Sequence, residues 1–204
     1  MVQLKMDAKG SREVTEKNAP AVYVSELVNT IRNFDWDELQ SVTDRLLTAS
    51  SSGRRIFLIG NGGSAGNSEH LANDFTYGAF KSFGRGLNVH SLSSNSSVIT
   101  CLANDIGYEN IYSHQIMAYA ASGDLLVCFS GSGNSQNIVN AIESSKKIGL
   151  YSIGIFGYDG GIAAKHVDFL VHIKSFDMQV CEDMQLIIGH YIMKSIYSKV
   201  GAHS

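Results

Sequence analysis

The chain has 204 residues, 44% hydrophobic and 17% charged, with 16 basic and 19 acidic side chains and a net charge of -3. That length suits one domain, or one with a helical extension, and the composition excludes a disordered or collagen-like chain. The near-neutral balance excludes a global field drawing in nucleic acid, and no apolar run approaches the roughly 18 residues of a membrane span.

Residues 1–19 read as a polar lead without the apolar segment of a secretory signal, so a cytoplasmic protein is expected. From Pro20 the apolar residues Val24, Leu27, Val28 and Ile31 fall at i, i+3, i+4 and i+7, which predicts a helix over 20–34. A second helix is expected over 36–48, with Leu39, Val42 and Leu46 inward. Beyond Gly53 the pattern changes. The short apolar run 56–59, closed by Gly60, suits a strand buried on both faces. Similar runs at 87–92, 125–129, 151–156 and 167–173 alternate with helical stretches near 65–80, 96–120, 135–148 and 178–200. The alternation predicts an α/β fold over 20–204, a doubly wound parallel sheet with helices on both faces. The last helix is apolar almost all round (Met184, Leu186, Ile187, Ile188, Ile192, Ile196), so it is expected to pack on another subunit as well as on its own sheet. Cys101, Cys128 and Cys181, odd in number and set among apolar residues, read as reduced core thiols.

Nine of the 20 glycines fall in three loops that each follow a predicted strand. Two of these loops share one design. Residues 56–68 (IFLIGNGGSAGNS) and 125–135 (LLVCFSGSGNS) each run from an apolar strand through a Gly/Asn/Ser turn into a helix with a small, polar first turn. In an open α/β sheet, ligands bind beyond the carboxyl ends of the strands. A helix N-terminus there offers unpaired N–H groups and a positive dipole end, which suits a phosphate or a sugar phosphate. The same composition would also serve tight turns capped by Ser or Asn. No Lys follows either loop as a nucleotide P-loop requires, and 75–104 holds no Asp or Glu to grip a ribose, which excludes a dinucleotide fingerprint. Lys81 and Arg85 give that stretch a local positive bias, or are simply a solvated helix end.

His70 and Asp74 stand four apart behind the first loop, on one helix face. Leu71 and Phe75 form the adjacent apolar stripe, which places the pair at the edge of the core. In the last helix, Asp183 and His190 are seven apart and share a face, with Glu182 rotated away. Imidazole with carboxylate is what a zinc-like ion or an acid/base pair needs, and it is also what an ordinary ion pair looks like. His90, His114, His166, His172 and His203 lack such company and read as structural.

The ordered series Gly60-Asn-Gly-Gly-Ser64, His70, Asp74, Ala103-Asn-Asp105, Ser130-Gly-Ser-Gly-Asn-Ser135, Gly157-Tyr-Asp-Gly-Gly161 and Glu182…Gly189-His190 resembles the sugar isomerase (SIS) domain family. Within it, the series resembles the phosphoheptose isomerase branch, over about residues 22–198. The resemblance implies a homotetramer with active sites at subunit interfaces. It implies conversion of sedoheptulose 7-phosphate to D-glycero-D-manno-heptose 7-phosphate, early in bacterial surface-heptose synthesis. It implies that Ser130, Gly131, Ser132 and Ser135 hold phosphate, that Asn61, Gly62, Gly63 and Ser64 line the sugar, and that Ser94 and Asn95 bind sugar hydroxyls. His70, Asp74, Glu182 and His190 then surround the reacting carbons, at positions that bind zinc in some members. Three residues depart from the family pattern: Asp74 stands for the usual Glu, Glu182 for Gln and Asn95 for a common Asp. Asp74 is expected to act as base and His190 as acid, with His70 and Glu182 positioning them or ligating zinc. The competing expectation is a non-catalytic SIS binding module, a regulator associating with a replication initiator or a sugar-phosphate sensor. Retention of His70, an acid at 74 and His190 favours the enzyme.

Overall fold

The computed structural model describes residues 20–79, 84 and 86–201. The polar lead 1–19, Lys81, Arg85 and His203 lie outside these residues. The described residues 20–34 and those from Asp35 onward fall in two compact units. The first holds α1 (Pro20–Asn33), whose predicted stripe leaves Val24 and Val28 exposed.

The second unit begins with α2 (Leu39–Ser51), which buries Leu39, Val42 and Leu46 as its spacing predicts. Five short strands follow: β1 (Ile56–Ile59), β2 (Val89–Ser91), β3 (Leu125–Ser130), β4 (Tyr151–Phe156) and β5 (Phe169–His172). They form one sheet in the order β2-β1-β3-β4-β5, and every pairing is parallel. β1 and β3 are buried at every position. That explains their unbroken apolar runs, since a strand covered on both faces cannot alternate. The helices between the strands are α3 (Gly63–Asn73), α4 (Ser96–Ile106), α5 (Ile111–Tyr119), α6 (Gln136–Ile148) and α7 (Met178–Gly201). α5 and α6 close one face of the sheet around Phe57, Ile59, Leu126 and Cys128. α2, α3 and α7 pack together over the other. The doubly wound α/β sheet is therefore as expected. The order of strands reverses between β1 and β3, so the turns at Gly60 and Ser130 flank the switch point where such sheets bind ligands.

Three local features depart from the sequence reading. The stretch 96–120 is two helices, broken at Gly107 with φ 90° and a short 3-10 turn over Tyr108–Asn110. A positive φ is open to Gly at little cost and ends α4 there. α3 ends in a π turn, Asp74–Gly78, a device that widens one helical turn and recurs at functional sites. Cys101 is exposed on α4, its thiol 3.5 Å from Asp105 Oδ2, so it is not a core thiol; Cys128 and Cys181 are buried. α4 buries none of its residues fully, which is why an apolar setting in sequence misplaced Cys101. Among the described residues no helix is long and apolar enough to cross a membrane.

Candidate active site

The first glycine loop turns sharply because Gly60 abuts the Ser64 carbonyl, with no room for a Cβ, and Gly62 adopts φ 54°. Its backbone is anchored from below. The Gly60 carbonyl accepts from the Tyr112 hydroxyl and from Ser93 Oγ at 3.2 Å. Burial pushes the Tyr112 phenol up to about 12, so it stays a donor. The second loop is held by its neighbours. Ser130 Oγ accepts from the Gly133 N–H at 3.0 Å, and Gly133, at φ 65°, lies against the Gly160 carbonyl. Asn61 in the first loop and Asn137 in the first turn of α6 form a reciprocal amide pair at 2.8 and 2.9 Å, and the Tyr108 hydroxyl donates to Asn61 Oδ1 at 3.0 Å.

A capping role for the loop residues predicts side-chain bonds to the first helical turn. Neither the α3 N-cap, Gly62, nor the α6 N-cap, Ser135, makes one. Both helices therefore begin without a side-chain cap at the same end of the sheet, an arrangement that suits an anion, although at α3 the Glu182 carboxylate already lies against Gly63. Asn95 is different: its Oδ1 caps α4 by accepting the Val98 N–H at 3.1 Å. Ser94 Oγ donates to the Ser91 carbonyl at 2.8 Å. These two expected sugar-binding side chains already have local partners.

α3 and α7 run in the same direction, and glycines let them approach closely. Going along both helices, Gly63 meets Glu182, Leu71 meets Gly189, and Gly78 meets Met193 and Tyr197. Between the first two contacts, Asn67 Nδ2 donates to the Glu182 backbone carbonyl at 2.9 Å and to Gln185 Oε1 at 3.0 Å. This alignment brings His70 and Asp74 to His190. His70 Nε2 is 3.0 Å from His190 Nε2, and Asp74 Oδ2 lies 3.3 Å from the first ring and 3.5 Å from the second. Candidate ligand atoms of all three lie within 4.8 Å of one another. Leu71 and Phe75 are buried beneath, so the cluster sits at the core's edge with both imidazoles about half exposed.

Glu182 stands outside that convergence, its carboxylate against Gly63 at the start of α3. Burial first, and the charge of Asp183 second, raise its pKa above the ordinary carboxylate value. The folded state then holds the Glu182 proton more tightly than the unfolded chain does. Its contribution to stability is present at low pH and is lost as pH rises through the raised value. Glu182→Gln should therefore raise Tm at pH 8, with the gain vanishing near pH 4. Thermal melts across pH check this; a gain that is constant with pH would contradict it.

A family model described as the SIS domain matches residues 21–157. The chain belongs to the SIS domain family. A phosphoheptose isomerase of Clostridium acetobutylicum is 36% identical over 156 residues, covering 76% of this chain and 79% of its own. One of Chlorobaculum parvum is 33% identical over 184 residues, covering 88% and 87%. The solved structure of a phosphoheptose isomerase from Neisseria gonorrhoeae has a TM-score of 0.79 at 24% identity, covering 87% of this chain and 96% of that one. This SIS chain thus falls in the branch of the phosphoheptose isomerases. Sequence reasoning missed Asn67, Tyr108, Asn137 and Gln185 around the SIS site. For Asn67 a signal existed, since it stands four residues after Gly63 and three before His70 on one helix.

Proposed function

We propose that this chain is a cytoplasmic sugar-phosphate isomerase that interconverts sedoheptulose 7-phosphate and D-glycero-D-manno-heptose 7-phosphate in surface-heptose synthesis. We further propose that residues 20–204 act as one SIS domain in a homotetramer, with α7 contributing to subunit packing. The observation that carries the reading is the convergence of His70, Asp74 and His190 in a chain that also carries two helix N-termini without a side-chain cap after its strands. One end of the substrate needs an anion cradle and the other needs proton transfer.

Isomerisation moves one proton from C1 to C2 through an enediol(ate). Asp74 takes the C1 proton, leaving the electron pair in the C1–C2 double bond while negative charge develops on the C2 oxygen. His190 donates a proton to that oxygen and recovers one from the C1 hydroxyl. Asp74 then returns its proton to C2, so atoms and charge balance. His70, 3.0 Å from His190, fixes the ring that carries the proton. Ser130, Gly131, Ser132 and Ser135, with the α6 N-terminus, bind the phosphate. Asn61, Gly62, Gly63 and Ser64 line the sugar, Glu182 faces its reacting end, and Ser94 and Asn95 border it.

The residues also fit a zinc ion. Two imidazole nitrogens and a carboxylate oxygen converge, and without a shared proton or a cation their lone pairs would face one another. Two N donors and one O donor form a set that zinc accepts while keeping a position open. His70, Asp74 and His190 would hold it, with Glu182 adjacent. When bound, it would polarise the substrate carbonyl as a Lewis acid.

Incubating the protein with ketose 7-, 6- and 5-phosphates and following aldose formation tests the reading. Turnover is expected with sedoheptulose 7-phosphate. Sugar-phosphate binding without turnover of any of them would replace the enzyme by the SIS binding module.

A further inference from the structure

Between the glycine loop and the histidine pair, α3 and α7 share one buried polar contact, and it has an unusual cost. Asn67 and Gln185 are 8% and 0% exposed. The Glu182 backbone carbonyl can only accept, so the Asn67 atom facing it must be Nδ2. The second hydrogen of that amide points at Gln185, which must in turn present Oε1. Gln185 Nε2 is left buried without a hydrogen-bond partner. Buried polar atoms almost always find partners, and an apolar pair of the same shape would close this seam with nothing orphaned.

An apolar seam, however, tolerates sliding. A slip of one residue along a helix is about 1.5 Å, half the 3.0 Å that separates the two imidazole nitrogens. The Asn67 bonds are directional, and they sit one helical turn before His70 on α3 and five residues before His190 on α7. We infer that Asn67 and Gln185 are positioning residues, whose amide bridge sets the axial register of α3 on α7 and so holds His190 against His70 and Asp74. The kinetic consequence rests on the isomerase reading; the register itself rests on the geometry alone.

The test compares the wild type with Asn67→Ala and with the shape-matched double variant Asn67→Leu/Gln185→Met. The readouts are histidine ring 1H–15N spectra, thermal melts and isomerase kinetics. In the double variant, Tm is expected to stay at or above the wild-type value. In both variants the ring signals of His70 and His190 should move to those of independent imidazoles. kcat should fall about tenfold or more while KM for the sugar phosphate holds, because the phosphate loop is untouched. Wild-type ring signals in a folded variant would overturn the assignment. So would loss of folding in both variants, which would make the bridge purely structural. Displaced ring signals with a wild type that turns over no sugar phosphate would leave the register assignment standing and overturn the isomerase reading.

Discussion

Asp74→Asn is expected to lower kcat for isomerisation by about 10²–10⁴-fold, the usual weight of a general acid–base group. The substitution keeps the size and planarity of the side chain and removes only its basicity. The two imidazoles 3.3 and 3.5 Å away therefore keep a polar neighbour, and the fold should melt within a few degrees of the wild type. Asp74 lies at the first position of a π turn, at the end of α3, and not in the 130–135 loop that we propose holds the phosphate. KM for the sugar phosphate should accordingly change by less than about threefold, the pattern of an interaction made mainly in the transition state. Steady-state kinetics on the purified variant decide the matter. Activity within about tenfold of the wild type would remove Asp74 from the role of base.

The second large effect concerns the 130–135 loop, which we propose holds the phosphate. Gly133→Ala should destabilise the protein by about 3 kcal/mol, from a left-handed backbone costing roughly 1–2 kcal/mol and overpacking of similar size. The overpacking cannot relax easily, because the new Cβ would meet the backbone carbonyl of Gly160 rather than the end of a flexible side chain. For a chain of this size that corresponds to a fall in Tm of roughly 6–12 °C. The same collision would push apart the loops after β3 and β4, where the Ala163 N–H donates to the Gly133 carbonyl at 2.9 Å. KM for the sugar phosphate should rise in whatever fraction stays folded. Differential scanning calorimetry together with saturation kinetics measures both. An unchanged Tm would mean that the β3 and β4 loops separate freely, contrary to their close packing.

How much of this was legible beforehand varies from element to element. β1 and β4 begin and end where their apolar runs do, because the turn residues Gly60 and Gly157 bound them and burial on both faces leaves no ambiguity of period. The break at Gly107 was visible only as one glycine inside a long helical pattern, and its φ of 90° depends on tertiary context. The π turn at Asp74 has no local signature, since one residue inserted in a helix leaves side-chain composition unchanged. His70 and Asp74 could be paired by spacing, as they lie on one helix. That His190 would join them, while Glu182 faced Gly63 instead, depends on how two helices far apart in sequence are phased. Helical spacing cannot supply that phase. Gln185, and its pairing with Asn67, escaped notice for the same reason: a buried amide pair looks like two ordinary polar residues until the helices carrying them are placed side by side.

The parallel pairing of α3 with α7 also has a meaning in time. His70 and His190 are 120 positions apart. A ribosome adding about 5–20 residues per second needs on the order of 6–24 s to pass from one to the other. All five strands and both glycine loops are synthesised before α7 can dock. A nascent chain can therefore form both glycine loops well before His190 can join His70 and Asp74; on the proposed reading, the capacity to bind precedes the capacity to react.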